Sequence, residues 1–253
     1  MTRERNQIVK FTGYPCYESR RQPKQMFTLN ECMLDNILRN ARPFGHHEDA
    51  MELNLGFGFI YYGLVRALRP KHIVVIGSGF GFSVVCLGLG LKDNKTGRLS
   101  FVDPSYSLLR NGPFKTVGGM AKWNDPRKVE EHFAGFGLET IVSHHRMISE
   151  VFFARFKHFD LPPIDVAFID GNHSFRDARN DFINVLKHSK KNSYVFLHDS
   201  NIYVREMIRH AGVKRWLNVL RNNKELFDLI DFPFDSGVAL VRVAQDNAWK
   251  YME

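Results

Sequence analysis

Cysteine is scarce and unpatterned in this chain. Cys16, Cys32 and Cys86 are its only three, an odd number at wide spacing. They form neither a disulfide framework nor a zinc-ligand pattern. No apolar run reaches the roughly 18 residues that a membrane span requires. The opening Met1-Thr2-Arg3-Glu4-Arg5-Asn6 is polar and lacks the apolar stretch of a signal peptide. Internal repeats and low-complexity tracts are absent, and no Arg/Lys run interleaves with stacking aromatics as in a nucleic-acid module. These absences predict a soluble, cytoplasmic protein of a reducing compartment, without membrane or nucleic-acid partner.

Acids are nearly missing from one stretch. Between Lys187 and Lys224 nine lysines and arginines face only Asp199 and Glu206, within a net charge of +8. Such a stretch is either a solvated basic face or a surface for an anionic substrate or acidic partner.

What is present is ordinary for a globular chain: 44% hydrophobic and 25% charged residues over 253 positions. That suits one large α/β domain with a modest N-terminal extension. The 22 phenylalanines predict a Phe-rich core or an aromatic-lined pocket. Cys86, in an apolar helix, reads as a core thiol.

The chain is organised around His72-Ile73-Val74-Val75-Ile76-Gly77-Ser78-Gly79-Phe80-Gly81-Phe82-Ser83. A β-branched run ends in three alternate glycines, and helix-compatible residues follow. This is a buried parallel strand, a tight turn and the helix that leaves it. Glycine permits positive φ and close approach of a ligand, and the helix start offers unpaired N–H groups. The spacing is neither the dinucleotide G-x-G-x-x-G nor a P-loop, since no Gly-Lys-Ser/Thr follows.

Residues 1–26 read as a polar arm. Thr28-Leu29-Asn30-Glu31 has capping-box spacing with Thr28 as N-cap, which predicts a helix to about Ala41. His46-His47 reads as an exposed loop. Glu52–Leu68 reads as helical, closely packed or interrupted near Gly56-Phe57-Gly58. Strands follow at Leu99–Asp103, Thr140–His144, Ile164–Asp170 and Ser193–Asp199. Helices are predicted at Lys128–Phe136, Ser149–Phe159, Phe175–Lys187 and Val204–Leu220. The last two strands, about Leu226–Asp231 and Gly237–Val243, are close enough for antiparallel pairing. The sum is a doubly wound, seven-stranded, mostly parallel sheet with one antiparallel strand. An arm and cap helix over 1–50 precede the domain at 51–253.

Ligands of such sheets lie outside the carboxyl ends of the strands. There the chain places Gly77-Ser78-Gly79, Asp103, His144, Asp170-Gly171-Asn172-His173 and His198-Asp199. Asp103 could accept both hydroxyls of a ribose, or serve as a turn or cap aspartate. Asp170, His198 and Asp199 could converge on a divalent cation. Alternatively, Asp170 caps a helix and His198 packs. His173 could take a proton from a hydroxyl or cap the following helix.

These residues resemble a class I S-adenosylmethionine-dependent methyltransferase over about residues 50–245. Ile76-Gly77-Ser78-Gly79-Phe80-Gly81 looks like that family's first motif, and Asp103 like its ribose-binding acid. Phe168-Ile169-Asp170-Gly171-Asn172-His173-Ser174 with Phe196-Leu197-His198-Asp199 is similar to the metal-dependent O-methyltransferases, in the branch of macrolide-sugar and cephalosporin-pathway enzymes. The resemblance implies S-adenosylmethionine held by Gly77, Ser78, Gly79, Gly81, Ser83, Asp103, His144 and Asp170. It implies a divalent cation, Mg or Mn, at Asp170, His198 and Asp199, and His173 with Asp170 as the catalytic pair. The acceptor would be a hydroxyl of a small molecule such as a sugar, with 1–50 and 104–127 as a lid; a second copy of the chain is a further possible partner. Three departures stand out: Val75 replaces the usual acid before the glycines, His198 replaces a carboxylate, and Ser200 stands where catechol-type enzymes have Asn. A mixed nitrogen and oxygen shell favours Mn, Fe, Ni or Zn over Mg. The Asn/Asp-Pro-Pro-Tyr/Phe signature of amino-directed enzymes is missing. Two other readings remain: a cofactor-binding module without turnover that docks an acidic partner, and a nicotinamide-dependent oxidoreductase.

Overall fold

A computed structural model describes residues 27–105, 108–111, 114–117, 122–201 and 212–252, with side chains at all of these except 108–111 and 114–117. The strands are β1 (His72–Ile76), β2 (Arg98–Val102), β3 (Leu108–Asn111), β4 (Phe114–Val117), β5 (Val142–His145), β6 (Ile164–Ile169), β7 (Ser189–His198), β8 (Phe227–Phe232) and β9 (Val238–Val243). The helices are α1 (Glu31–Asn40), α2 (Phe57–Leu68), α3 (Phe82–Asn94), α4 (Pro126–Ala134), α5 (Ser149–Ala154), α6 (Phe175–Lys187) and α7 (Val213–Arg221). Seven strands form one sheet in the order β5-β2-β1-β6-β7-β9-β8, in which β9 alone runs antiparallel to its neighbours. The doubly wound sheet read from the sequence is therefore the fold.

The apolar run of β1 is explained by burial on both faces. Ile73 and Val75 enter a core with α2, α3 and α4, while Val74 and Ile76 enter another with α5, α6 and α7. Phenylalanine fills both layers: Phe82, Phe101, Phe133 and Phe168 on one side, Phe152, Phe156 and Phe182 on the other. Cys86 is fully buried in the first, and burial pushes its thiol well up.

Several boundaries differ from expectation. Asn30, not Thr28, caps α1 and accepts from the Met33 amide at 2.9 Å. Thr28 is used elsewhere, its amide donating to Asp93 at 2.8 Å. The predicted helix at 52–68 starts only at Phe57, because Gly56 turns the chain with φ +53. Inside that helix Gly58 lies so near α3 that a Cβ would sit 2.7 Å from Phe82. Gly90 of α3 likewise has room for no more, with Val65 at 2.7 Å. The glycines lower intrinsic helicity by up to about 1 kcal/mol each, and in exchange the two helices approach closely. The segment 104–127, expected as part of a lid and assigned no strand, contains the β3–β4 hairpin. The basic helix is described from Val213 to Arg221; its predicted start at 204 and the arm at 1–26 lie outside the described residues. Arg221 pairs with Asp231, and Arg215 lies 4.8 Å over the Phe175 ring. No described helix is long and apolar enough to cross a membrane.

Candidate active site

Three neighbouring central strands, β1, β6 and β7, end in the polar groups singled out above. Gly77 has φ +69, and a Cβ on it would meet the Asp170 carbonyl oxygen at 2.4 Å. Only glycine lets the first and fourth crossovers close on each other there. Gly79, at φ +43, would meet nothing within 4 Å. The turn is therefore an open cradle, backed by the Trp123 indole, which donates to the Gly79 carbonyl at 3.0 Å. Gly81 caps α3 without a side-chain bond, so the first-turn amides stay available. Ser78 and Ser83 are buried and share a hydroxyl hydrogen bond of 2.7 Å across the turn.

Asp103 follows β2. Burial raises its carboxyl to about 6 against the opposing donation of the Ser105 and Ser78 amides. The Ser105 bond measures 2.6 Å. Each oxygen keeps lone pairs for further donors. His144 does not stand free beside it. Its Nε2 donates to the Asp103 carbonyl at 3.1 Å, and its ring lies 5.1 Å from Phe101. It positions the acid's backbone.

Asp170, His173, His198 and Asp199 form one cluster. His173 Nε2 meets Asp170 Oδ1 at 3.1 Å, and its Nδ1 makes a short contact with Asp199 Oδ2. His198 Nδ1 faces Asp170 Oδ1 at 3.1 Å and Asp199 Oδ1 at 3.3 Å. Its Nε2 donates to the Gly45 carbonyl at 3.2 Å. The Gly45 carbonyl fixes a proton on Nε2, and the two carboxyl groups at Nδ1 favour a second one, the imidazolium. Burial opposes that charge, but Asp170, by field and hydrogen bond, and then Asp199 outweigh it and raise the ring to about 9. Asp199 is raised to about 6 by burial, against the field of His198. It sits at φ +61, a left-handed conformation that aspartate tolerates better than most residues. That kink lets successive residues of one strand end, His198 and Asp199, both turn onto the cluster.

The sequence reading of Asp170, His198 and Asp199 as a cation site meets a difficulty in this arrangement. A metal needs nitrogen lone pairs and deprotonated donors; Nε2 of His198 is committed to the Gly45 carbonyl, and Nδ1, when protonated toward the carboxylates, offers none. Among the described residues no group of three His, Cys, Asp or Glu is disposed to hold a metal ion. The donor set as placed does not fit one; the imidazolium supplies the positive charge between the two carboxylates.

His46 was read as exposed and is not. It is buried, with its ring 4.3 Å from that of His198 and Nδ1 3.0 Å from the Tyr61 hydroxyl. Burial first, and the charge of His198 next, hold its imidazole well below the usual range. Together with the Gly45 carbonyl it closes the cluster from the side of residues 45–47. An adjacent His pair carries no periodicity that would have revealed this; only His47 is exposed, stacked 5.3 Å from Phe234.

The fold recurs in solved structures. The O-methyltransferase TomG of Streptomyces achromogenes, involved in tomaymycin synthesis and solved with SAM, superposes with TM-score 0.59 at 17% identity, covering 85% of this chain and 89% of that one. An O-methyltransferase from Bacillus cereus in complex with SAH gives 0.60 at 14% identity, covering 85% and 92%. A curated relative, the uncharacterized protein y4gI of Sinorhizobium fredii, is 23% identical over 193 residues, 70% of this chain. The chain spans only 18% of that protein's length. A family model described as a methyltransferase domain matches residues 74–200, from β1 through the end of β7. That match takes in the glycine turn, Asp103 and the whole Asp170–Asp199 cluster across half of the chain, and it makes this protein a member of the methyltransferase-domain family.

Proposed function

We propose that the chain transfers a methyl group from S-adenosylmethionine to a hydroxyl oxygen of a small molecule. The observation that carries this reading is the gathering, at one sheet edge, of an open glycine cradle, a half-buried acid at the end of β2 and a histidine held between two carboxylates. S-adenosylmethionine, when bound, supplies an electrophilic methyl group on a sulfonium. Asp103 accepts from the ribose hydroxyls, the glycine turn and Ser83 hold the amino-acid end, and the Asp170 carboxylate faces positive charge. The reaction uses the neutral His173 imidazole: its Nδ1–H donates to Asp199, and Nε2 takes the acceptor's proton once the acceptor displaces Asp170 from that nitrogen. Holding the oxygen in line with the methyl group supplies most of the rate gain. No step here is routed through a divalent cation, since no group of three His, Cys, Asp or Glu among the described residues is disposed to hold one.

The acceptor class follows from the rim. Phe44 is 84% exposed beside Gly45, and His47 stacks on Phe234. These flat faces suit a ring-bearing hydroxyl compound, a sugar or an aromatic. The test is thermal stabilisation and calorimetry with S-adenosylhomocysteine, followed by product formation with a panel of ring hydroxyl acceptors, each with and without chelator. Saturable binding with chelator-insensitive turnover, lost in Asp170→Ala with binding retained, is the expected result. Binding without product from any acceptor would point to a module without turnover. Turnover only with added Mn or Mg would restore the cation.

A further inference from the structure

A second concave site lies behind the glycine turn, between α1 and α4. It encloses about 570 Å³, within the range of small-molecule sites. It shares no residue with the Asp170–Asp199 cluster. Its wall carries Arg39, Arg42, Lys122 and Lys128 against one carboxylate, Glu131. Arg39 is held by Asp35 at 2.7 Å. Two positive charges of the lining are thus left without a matching acid.

The most enclosed of these cations is Lys122. Its ammonium reaches the Asn40 and Phe80 carbonyls, both at 3.3 Å, and lies 5.5 Å over the Phe80 ring and 5.0 Å over Trp123. Among the described residues no carboxylate pairs with it. Arg42 lies 5.7 Å over the same Phe80 ring. Burial, and then the nearby Arg42, lower the Lys122 amine to about 8. A group in that position gains from an anion. His132, also in the wall, has a buried Nε2 with no hydrogen-bond partner among the described residues. The two unbalanced charges match a dianion, and the Phe80 face matches a flat or apolar body attached to it.

We propose that this pocket binds a small phosphomonoester, its phosphoryl group between Lys122 and Arg42 and its body against Phe80. The site is distinct from the Asp170–Asp199 cluster and meets the glycine turn at Phe80. It would hold an effector or a phosphorylated handle independently of whether the neighbouring cluster transfers methyl groups.

Phenyl phosphate, inorganic phosphate and sodium chloride at matched ionic strength would be titrated into the whole chain, read by calorimetry and thermal shift. Saturable binding of phenyl phosphate, tighter than that of inorganic phosphate, is expected. Inorganic phosphate binding as tightly would remove the aromatic body and overturn the phosphomonoester assignment. Arg42→Glu and Lys128→Glu are exposed changes that leave the fold intact. Arg42→Glu should weaken binding about 10-fold or more, as removal of a charge-assisted contact does, and Lys122→Gln should do the same. S-adenosylhomocysteine binding should stay within about 3-fold in the exposed variants, since they lie outside the donor cradle. A response identical to chloride, an unchanged affinity in Arg42→Glu, or displacement of phenyl phosphate by S-adenosylhomocysteine would each overturn the site. Failure of S-adenosylhomocysteine to bind, with phenyl phosphate still bound, would sink the methyl-transfer reading and leave this one standing.

Discussion

His173 is the residue on which the chemistry turns. A side chain held by Asp199 on one nitrogen and by Asp170 on the other is oriented for one proton transfer once an acceptor takes the place of Asp170. His173→Gln keeps the size and one polar end but removes the base. Turnover should fall by about 10²–10⁴-fold, the usual contribution of general base catalysis, while S-adenosylhomocysteine affinity stays put; stopped turnover with lost affinity would assign His173 to binding instead. A different residue contributes a separable part of the pH dependence of stability. Asp181 is buried beneath the site loop, and burial, with Glu150 and Asp177 nearby, raises its carboxyl to about 7 despite donation from Ser149. In the unfolded chain it titrates near 4. Between those values the native state holds a proton that the unfolded state has lost, so its contribution to stability declines as pH rises from about 4 to 7. Relative to Asp181→Asn, the wild type should lose on the order of 2 kcal/mol between pH 5 and pH 8. Denaturant melts of both at the two pH values measure it; a pH-independent difference would show that Asp181 is not buried as a neutral acid.

Among elements, the glycine turn has least tolerance. Alanine at Gly77 would need a left-handed residue and would drive a methyl into the Asp170 backbone. The conformation alone costs about 1–2 kcal/mol, and the clash with the Asp170 and Gly171 backbone distorts the turn that forms the cradle, so Gly77→Ala should lose both stability and S-adenosylhomocysteine binding. Gly79→Ala meets open space at a similar φ. It should cost only the conformational part and fill the cradle, lowering affinity more than melting temperature. Equal effects of the two on melting temperature would contradict the close approach at Gly77. The glycine pattern was legible in the sequence because it interrupts a β-branched run. The cap of α1 was not, because Thr28 and Asn30 are both good caps and a distant partner, Asp93, decided between them. The β3–β4 hairpin also escaped, since its short strands carry no clear alternation against the polar residues around them.

At the scale of the molecule, the sheet is a stack of two cores on either side of β1, β6 and β7. These central strands are paired on both edges and covered on both faces, so their amides should be the slowest to exchange, opening only with global unfolding. The peripheral β8 has one neighbour and exposes Ile230 by 57%. Native-state hydrogen exchange should rank β1, β6 and β7 above β8 and α1; equal protection of β8 would mean that its free edge is covered. The basic stretch, prominent in composition, is partly absorbed by Asp231 and Phe175, while the unbalanced charge gathers on the far side of the sheet at Lys122 and Arg42.

The order of strands and helices, the glycine turn and the strand-end acids were determined by the sequence alone, because each is written in neighbouring residues as periodicity, a φ requirement or a chain break. The partners of the charged groups were decided only in three dimensions. His46 and Gly45 lie about 150 positions from His198, and the contacts that enclose its imidazole there depend on how distant segments pack. No local pattern specifies such packing.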